Sequence, residues 1–171
     1  GGTMNMVTKS TEAQKGGSAY FGIGNDGFRK YSVSFSTGLM DNGWAITFMG
    51  ALNTGDGYVK GTNYEGWTYF GNISKVINDH HKLSLTAFGA PQWHNQRSTM
   101  HYIEDYKNSP DGGRFNNGYG YINGEAVGSG YGYNYYHKPQ VSLNHYWTID
   151  DKSTLTTSLY LSLIHISEPT R

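Results

Sequence analysis

The chain has 171 residues, a formal net charge of zero and no cysteine. A neutral balance offers no electrostatic footprint for nucleic acid, and the lack of cysteine excludes a disulfide framework or a thiolate metal site. Glycine (24) and tyrosine (15) are abundant while hydrophobic residues reach only 36%, and no apolar run is long enough for a transmembrane helix. A β-barrel escapes that exclusion, because its strands alternate and carry a weak hydropathy signal.

In chain order, residues 1–9 read as a short strand with Met4, Met6 and Val7 apolar. Residues 10–17 are a polar connector, and 18–24 form a strand with Tyr20, Phe21 and Ile23. Asn25-Asp26-Gly27 is a turn signal, since Gly accepts the positive φ that tight hairpins need. A longer strand covers 29–39, where Tyr31, Val33, Phe35, Thr37 and Leu39 share one parity and Ser32, Ser34, Ser36 and Gly38 the other. After the turn Asp41-Asn42-Gly43 come a strand at 44–51, a Gly-rich loop at 52–63 and a strand at 64–77. Asn78-Asp79-His80-His81 is a tight turn into a strand at 82–89. Residues 90–137 read as one long irregular stretch, followed by a strand at 140–149, the turn Asp150-Asp151 and a strand at 153–160.

Successive side chains of a strand point to opposite faces. Here one face is apolar and the other small and polar, which fits two architectures. In a soluble sandwich the polar face meets water outside; in an outer-membrane barrel it meets water inside and the apolar face meets lipid. The connections favour the barrel. Those at 41–43, 78–81 and 150–151 are short and fall on one side, whereas two of the three on the other side, 52–63 and 90–137, are long. Short periplasmic turns opposite long extracellular loops are the outer-membrane pattern. The strands from Arg29, Tyr64 and Gln140 also supply the roughly 9–11 tilted residues that a crossing takes. Trp44, Trp67 and Trp147 lie near strand ends, as interface aromatics do. The reading is therefore all-β: an antiparallel, up-and-down transmembrane barrel of which about seven strands are present, located in the outer membrane and in contact with its lipid. The alternative is a secreted or surface-exposed β-sandwich that binds carbohydrate through its Tyr-rich loop.

Two resemblances add to this. Gly1-Gly2-Thr3-Met4-Asn5-Met6-Val7-Thr8-Lys9 resembles the end of the plug domain of TonB-dependent outer-membrane receptors, and residues 29–38, 42–46 and 132–147 resemble barrel strands of that family. The resemblance implies a plug strand at 1–9, the N-terminal part of the barrel at 10–160, and a parent of roughly 22 strands closed around its own plug. Such a parent binds a scarce nutrient (siderophore, haem, cobalamin or oligosaccharide) and imports it with energy passed by TonB, through a segment upstream of the plug. Residues 161–171, Leu161 to Arg171, resemble the translation of a transposase sequencing-library adapter in one frame. They are expected to be non-native, and the native part a piece of a longer protein.

Ligand contacts are expected in the longest loop. Trp93, His94, Gln96, Arg97, His101 and Tyr102 come first, then Phe115, Tyr119, Tyr121, Tyr131, Tyr133, Tyr135 and Tyr136 among Gly and Asn. Tyr gives large contact area at low entropy cost. His94, His101, Glu104 and Asp105 could each ligate a metal, but their spacing matches no strong motif, so neither metal nor cofactor is assigned. His80-His81 is read as solvated and His145, on the apolar parity beside Trp147, as interfacial. No enzyme is indicated: there is no nucleophile elbow, and Gly22-Ile23-Gly24-Asn25-Asp26-Gly27, although spaced like a dinucleotide loop, leads into a strand instead of a helix.

Overall fold

A computed structural model describes residues 11, 13–97, 99–123, 125–127 and 132–163. The plug strand expected at 1–9 and most of the adapter-like tail lie outside these residues. Seven strands form a continuous antiparallel path: β1 (Gly16–Ile23), β2 (Arg29–Leu39), β3 (Trp44–Gly55), β4 (Tyr64–Val76), β5 (His81–Gly89), β10 (Gln140–Asp150) and β11 (Ser153–Ser162). Each strand pairs with its neighbour in the path, and β1 and β11 are the edges, so the sheet is up-and-down and not closed.

The turns on one side are short for local reasons. Gly43, at φ +79°, lets its N–H return to the Met40 carbonyl at 2.8 Å. The Asn78 side-chain oxygen accepts from the N–H groups of His80 and His81 at 3.0 and 2.9 Å. Asp150 accepts from the Lys152 N–H at 2.8 Å, a bond that holds its exposed carboxyl below the usual range. On the opposite side, Asp26 and Gly27 both have positive φ and join β1 to β2 in the tight hairpin geometry that the sequence signals.

Three boundaries differ from the sequence reading. β3 runs on to Gly55 because both neighbours continue its ladder: Leu52 sits between Tyr31 and Trp67, and Thr54 between Arg29 and Glu65. The stretch at 90–137 is not irregular throughout. It holds β6 (Gln92–Asn95), the short helix α1 (Ile103–Asn108), the small hairpin β7 (Gly120–Ile122) and β8 (Glu125–Val127), and β9 (Tyr133–Tyr136). β6 pairs with the first three residues of β4, above the point where β5 ends, and β9 pairs with β6. β4 is therefore long because two partners share one of its edges. Last, β11 continues to Ser162, pairing Leu161 with Val141 and Ser162 with Gln140.

The register aligns chemistry into rows across the sheet. One apolar row reads Phe35, Phe48, Gly71, Ala87, Val141, Leu161, and the next reads Ile46, Ile73, Leu85, Leu143, Leu159. The rows of the opposite face are polar. Ser18 meets Ser34 at 2.8 Å, Ser36 meets Thr47 at 3.2 Å, and the Ser158 hydroxyl donates to Asn144 at 2.7 Å. Between them, Asn72 donates to Ser84 and Thr86 at 2.9 and 2.7 Å, and Ser74 donates to Asn72 at 2.8 Å. Met49, Phe70 and Phe88 interrupt the polar face as one row nearer the long-loop side.

Burial is inverted relative to a soluble domain. The buried polar set is Ser36, Asn72, Ser74, Ser84, Thr86 and Asn116, while Ala45 is the buried apolar residue among those described. Large apolar side chains instead stand exposed along the apolar rows, Phe35 at 52%. Among the described residues α1 packs on 112–114 and makes no close backbone approach to a strand of the sheet. A compact soluble protein of 19.0 kDa exposes roughly 8,400 Å²; this chain exposes 12666 Å².

Candidate functional site

The long loops converge at one end of the sheet. The β3–β4 loop, 56–63, is fastened to the segment 111–119 by a set of directed contacts. Asn116 donates its side-chain amide to the Lys60 carbonyl at 2.7 Å, and the Lys60 N–H donates to the Arg114 carbonyl at 3.0 Å. Arg114 donates to the Tyr58 carbonyl at 3.2 Å, lies over the Tyr58 ring at 4.8 Å, and pairs with Asp26 at 2.6 Å. Lys60 pairs with Asp111 at 2.5 Å. Gly57 and Gly61, at φ +77° and +72°, let the loop fold back tightly. A Cβ on Gly61 would lie 2.5 Å from the Tyr119 ring, so Gly61 also makes room for that ring.

Between the two segments lies a cleft of about 490 Å³ lined by Asp56, Tyr58, Lys60, Asn63, Asn95, Arg114 and Tyr119, with Gly57, Val59 and Gly61. Asn95 donates to the Asn63 side-chain oxygen at 2.7 Å. A smaller depression of about 260 Å³ shares Asp56 and Asn63 and adds Arg29, Glu65 and Trp93.

The residues singled out from sequence separate into three places. Tyr119 lines the cleft. Trp93 and His94 are on β6, and the Trp93 ring stacks on Tyr133 of β9 with centroids 6.1 Å apart. Arg97 and His101 belong to a packed knot beneath α1. Arg97 donates to the Phe115 carbonyl at 2.9 Å and lies over the Tyr106 ring at 5.2 Å. The His101 ring meets Tyr106 and Phe115 edge-on, its side chain only 7% exposed and its Nε2 buried without a hydrogen-bond partner. Tyr102 is exposed and starts α1, its N–H donating to Asp105 at 3.0 Å. Tyr121 contributes backbone to β7, and Tyr131 lies outside the described residues. Among the described residues no group of three or more His, Asp or Glu side chains converges as a metal would require. His94 and His101 are on different units, and His101 Nδ1 is 4.0 Å from Asp105.

Tyr58, Asn63, Asn95 and Arg114 went unmarked in the sequence reading. The sequence marked 52–63 only as a long Gly-rich loop, and nothing local reports that it closes on residues more than fifty positions away.

The aromatic residues at the strand ends define two levels. Trp67 and Leu52 are paired towards the long-loop side, and Trp44 and Lys75 towards the turns. Trp44 and Leu52 are eight positions apart in one strand, roughly 26 Å along it. At the lower level Lys75 reaches the Asn42 carbonyl at 2.5 Å while lying over the Trp44 ring, a long cation keeping its charge clear of the apolar band. His81 stacks between His145 and Trp147, with His81 Nδ1 3.0 Å from His145 Nε2. Trp67 donates its indole N–H to Glu65 at 2.8 Å.

No protein-family model, no curated protein and no solved structure matches this chain.

Proposed function

We propose that the seven-strand sheet is an arc of a larger outer-membrane β-barrel, and that the parent is a TonB-dependent receptor importing a scarce nutrient. The observation that carries the barrel is the inverted burial: serine, threonine and asparagine hydrogen-bonded to one another on the inner face, and Phe, Ile, Leu and Val exposed on the outer one. In water such an outer face costs free energy in proportion to its apolar area. In hydrocarbon it costs nothing, and antiparallel ladders pair the backbone from β1 to β11 with interruptions at the bulges between Ser36 and Leu39 and between Thr148 and Asp150, as a spanning structure requires. At a barrel tilt of about 40° the Trp levels stand roughly 20 Å apart along the membrane normal, near the edges of an apolar band about 25 Å tall, where aromatic girdles lie. The unpaired edges of β1 and β11 are where further strands would join.

The receptor part of the reading rests on the resemblance of residues 1–9 to the end of a plug, with 10–160 as barrel and 161–171 as a non-native tail. On this reading the partners are membrane lipid, the protein's own plug, TonB through an upstream segment, and a small molecule or oligosaccharide held by the long loops. No catalytic step is assigned to any residue.

Two measurements on the complete protein test this. Reconstitution into bilayers of lipid brominated along its chains should quench the fluorescence of Trp44, Trp67 and Trp147, each read in a variant retaining that tryptophan alone. Unquenched emission would argue for a soluble sandwich. Ligand uptake should vanish when tonB is deleted while ligand binding to whole cells persists; uptake independent of TonB would remove the receptor assignment and leave the barrel.

A further inference from the structure

Resting on the receptor reading, we infer that the cleft between 56–63 and 111–119 is a subsite for a neutral oligosaccharide, not for an anionic metal chelate or haem. The cleft's volume of about 490 Å³ lies within the roughly 300–1,000 Å³ usual for small-ligand sites. What separates ligand classes is its charge. Its two cations are already answered: Arg114 by Asp26 at 2.6 Å and Lys60 by Asp111 at 2.5 Å. Asp56 adds a carboxylate to the wall. Both pairs are partly exposed and worth little by themselves, but a cation already paired offers an anion little net attraction and the Asp56 carboxylate repels it, whereas a neutral ligand meets no such repulsion. Haem needs an apolar slot and an axial ligand; no histidine lines the cleft, and its wall is mostly polar.

A sugar ring asks for the reverse: groups that donate and accept side by side, with an aromatic face. The Asn63–Asn95 pair supplies the first. One hydrogen bond joins the two side-chain amides at 2.7 Å, and whichever way each amide is oriented, a carbonyl and N–H groups remain to meet adjacent hydroxyls. Tyr58 and Tyr119 supply the rings, each held by a contact outside the ligand: Tyr58 under Arg114 and Tyr119 against Gly61. The second depression, sharing Asp56 and Asn63 and ending at Trp93, extends the site beyond one ring. The ligand class is thus an uncharged chain of hexoses or pentoses.

The test uses the complete outer-membrane protein in detergent, titrated calorimetrically with neutral gluco-, manno-, xylo-, galacto- and fructo-hexasaccharides, with a ferric tricatecholate and with haemin. At least one neutral hexasaccharide should bind saturably, with an affinity unchanged between low and high salt, because an uncharged ligand has no ionic attraction to screen. Asn63→Ala and Asn95→Ala should each weaken it about tenfold, as expected for one hydrogen bond with an unsatisfied partner. Met100→Ala, on an exposed side chain outside the cleft, should leave it unchanged. Folding of every variant is read separately from its heat-dependent shift in gel mobility. A heat-shifting barrel that binds no hexasaccharide, or binds one equally well without Asn63 and Asn95, overturns the site and spares the barrel. Salt-sensitive binding of the ferric chelate or haemin alone overturns the ligand class. Absence of a heat shift in the unmodified protein overturns the barrel reading and this inference with it.

Discussion

Asn72 and Ile73 are consecutive residues of β4 and face opposite sides of the sheet: Asn72 is 1% exposed and bonded to Ser84 and Thr86, while Ile73 is 44% exposed between Ile46 and Leu85. A strand in a soluble sheet reverses that assignment. If the sheet is an arc of a barrel, Asn72 faces the lumen and Ile73 the lipid.

Charge placed on the outer face should be costly and charge on the inner face much less so. Phe35→Arg in the complete barrel should cost about 2–4 kcal/mol if the site is near the bilayer midplane. Ser34→Arg, one residue away and facing inward, should cost less. Folding equilibria into lipid vesicles as a function of denaturant read the difference; equal costs would reverse the assignment of faces.

The polar network should matter in proportion to its connections. Asn72 bonds with three neighbouring hydroxyls and is buried, so Asn72→Ala leaves those groups short of a partner and should cost about 1–3 kcal/mol. Asn144 accepts one bond, from Ser158 at 2.7 Å, and Asn144→Ala should cost about 0.5–1.5 kcal/mol. Denaturant midpoints of the two variants, compared at equal slope, should fall in that order.

The 171-residue chain expressed alone should not form a soluble monomer. The ladder groups on the free edges of β1 and β11 are a template for pairing with other chains, and the outer face adds an apolar patch well beyond what soluble monomers carry. Size-exclusion chromatography in detergent-free buffer should show aggregate. A monodisperse species with a cooperative melt would count against the membrane reading.

Two glycines with the same backbone requirement should respond differently. Gly61 (φ +72°) and Gly112 (φ +54°) both sit where a Cβ is disfavoured, at a cost of roughly 1–2 kcal/mol. At Gly61 a Cβ would also strike the Tyr119 ring, whereas at Gly112 nothing lies within 4 Å. Gly61→Ala should therefore loosen the loop pair more than Gly112→Ala. Limited proteolysis of the complete protein should show faster cleavage within 56–63 for the first variant.

The seven long strands, their two faces and the sorting of short turns from long loops were legible in the chain itself. Each follows from information within one or two strands: the two-residue period of 31–39, the Asp26-Gly27 and Asn42-Gly43 turns, the asparagine that closes the turn at Asn78. The extension of β3 to Gly55 was not legible, because residues 52–55 carry no alternation of their own and are held by partners on both sides. Nor was the order within 90–137, where β6 forms by completing the upper edge of β4.

What the residues alone determined is thus the alternation, and with it a sheet having one apolar and one polar face. Only the tertiary structure decided which strands share each ladder, that Tyr119 and not Tyr102 meets a cleft, and that Arg97 and His101 are spent on holding the loop together. Periodicity is local and survives in sequence. Convergence of 56–63 with 111–119 depends on single hydrogen bonds and ion pairs between distant segments, such as Asn116 to the Lys60 carbonyl and Arg114 to Asp26, and those have no period to read.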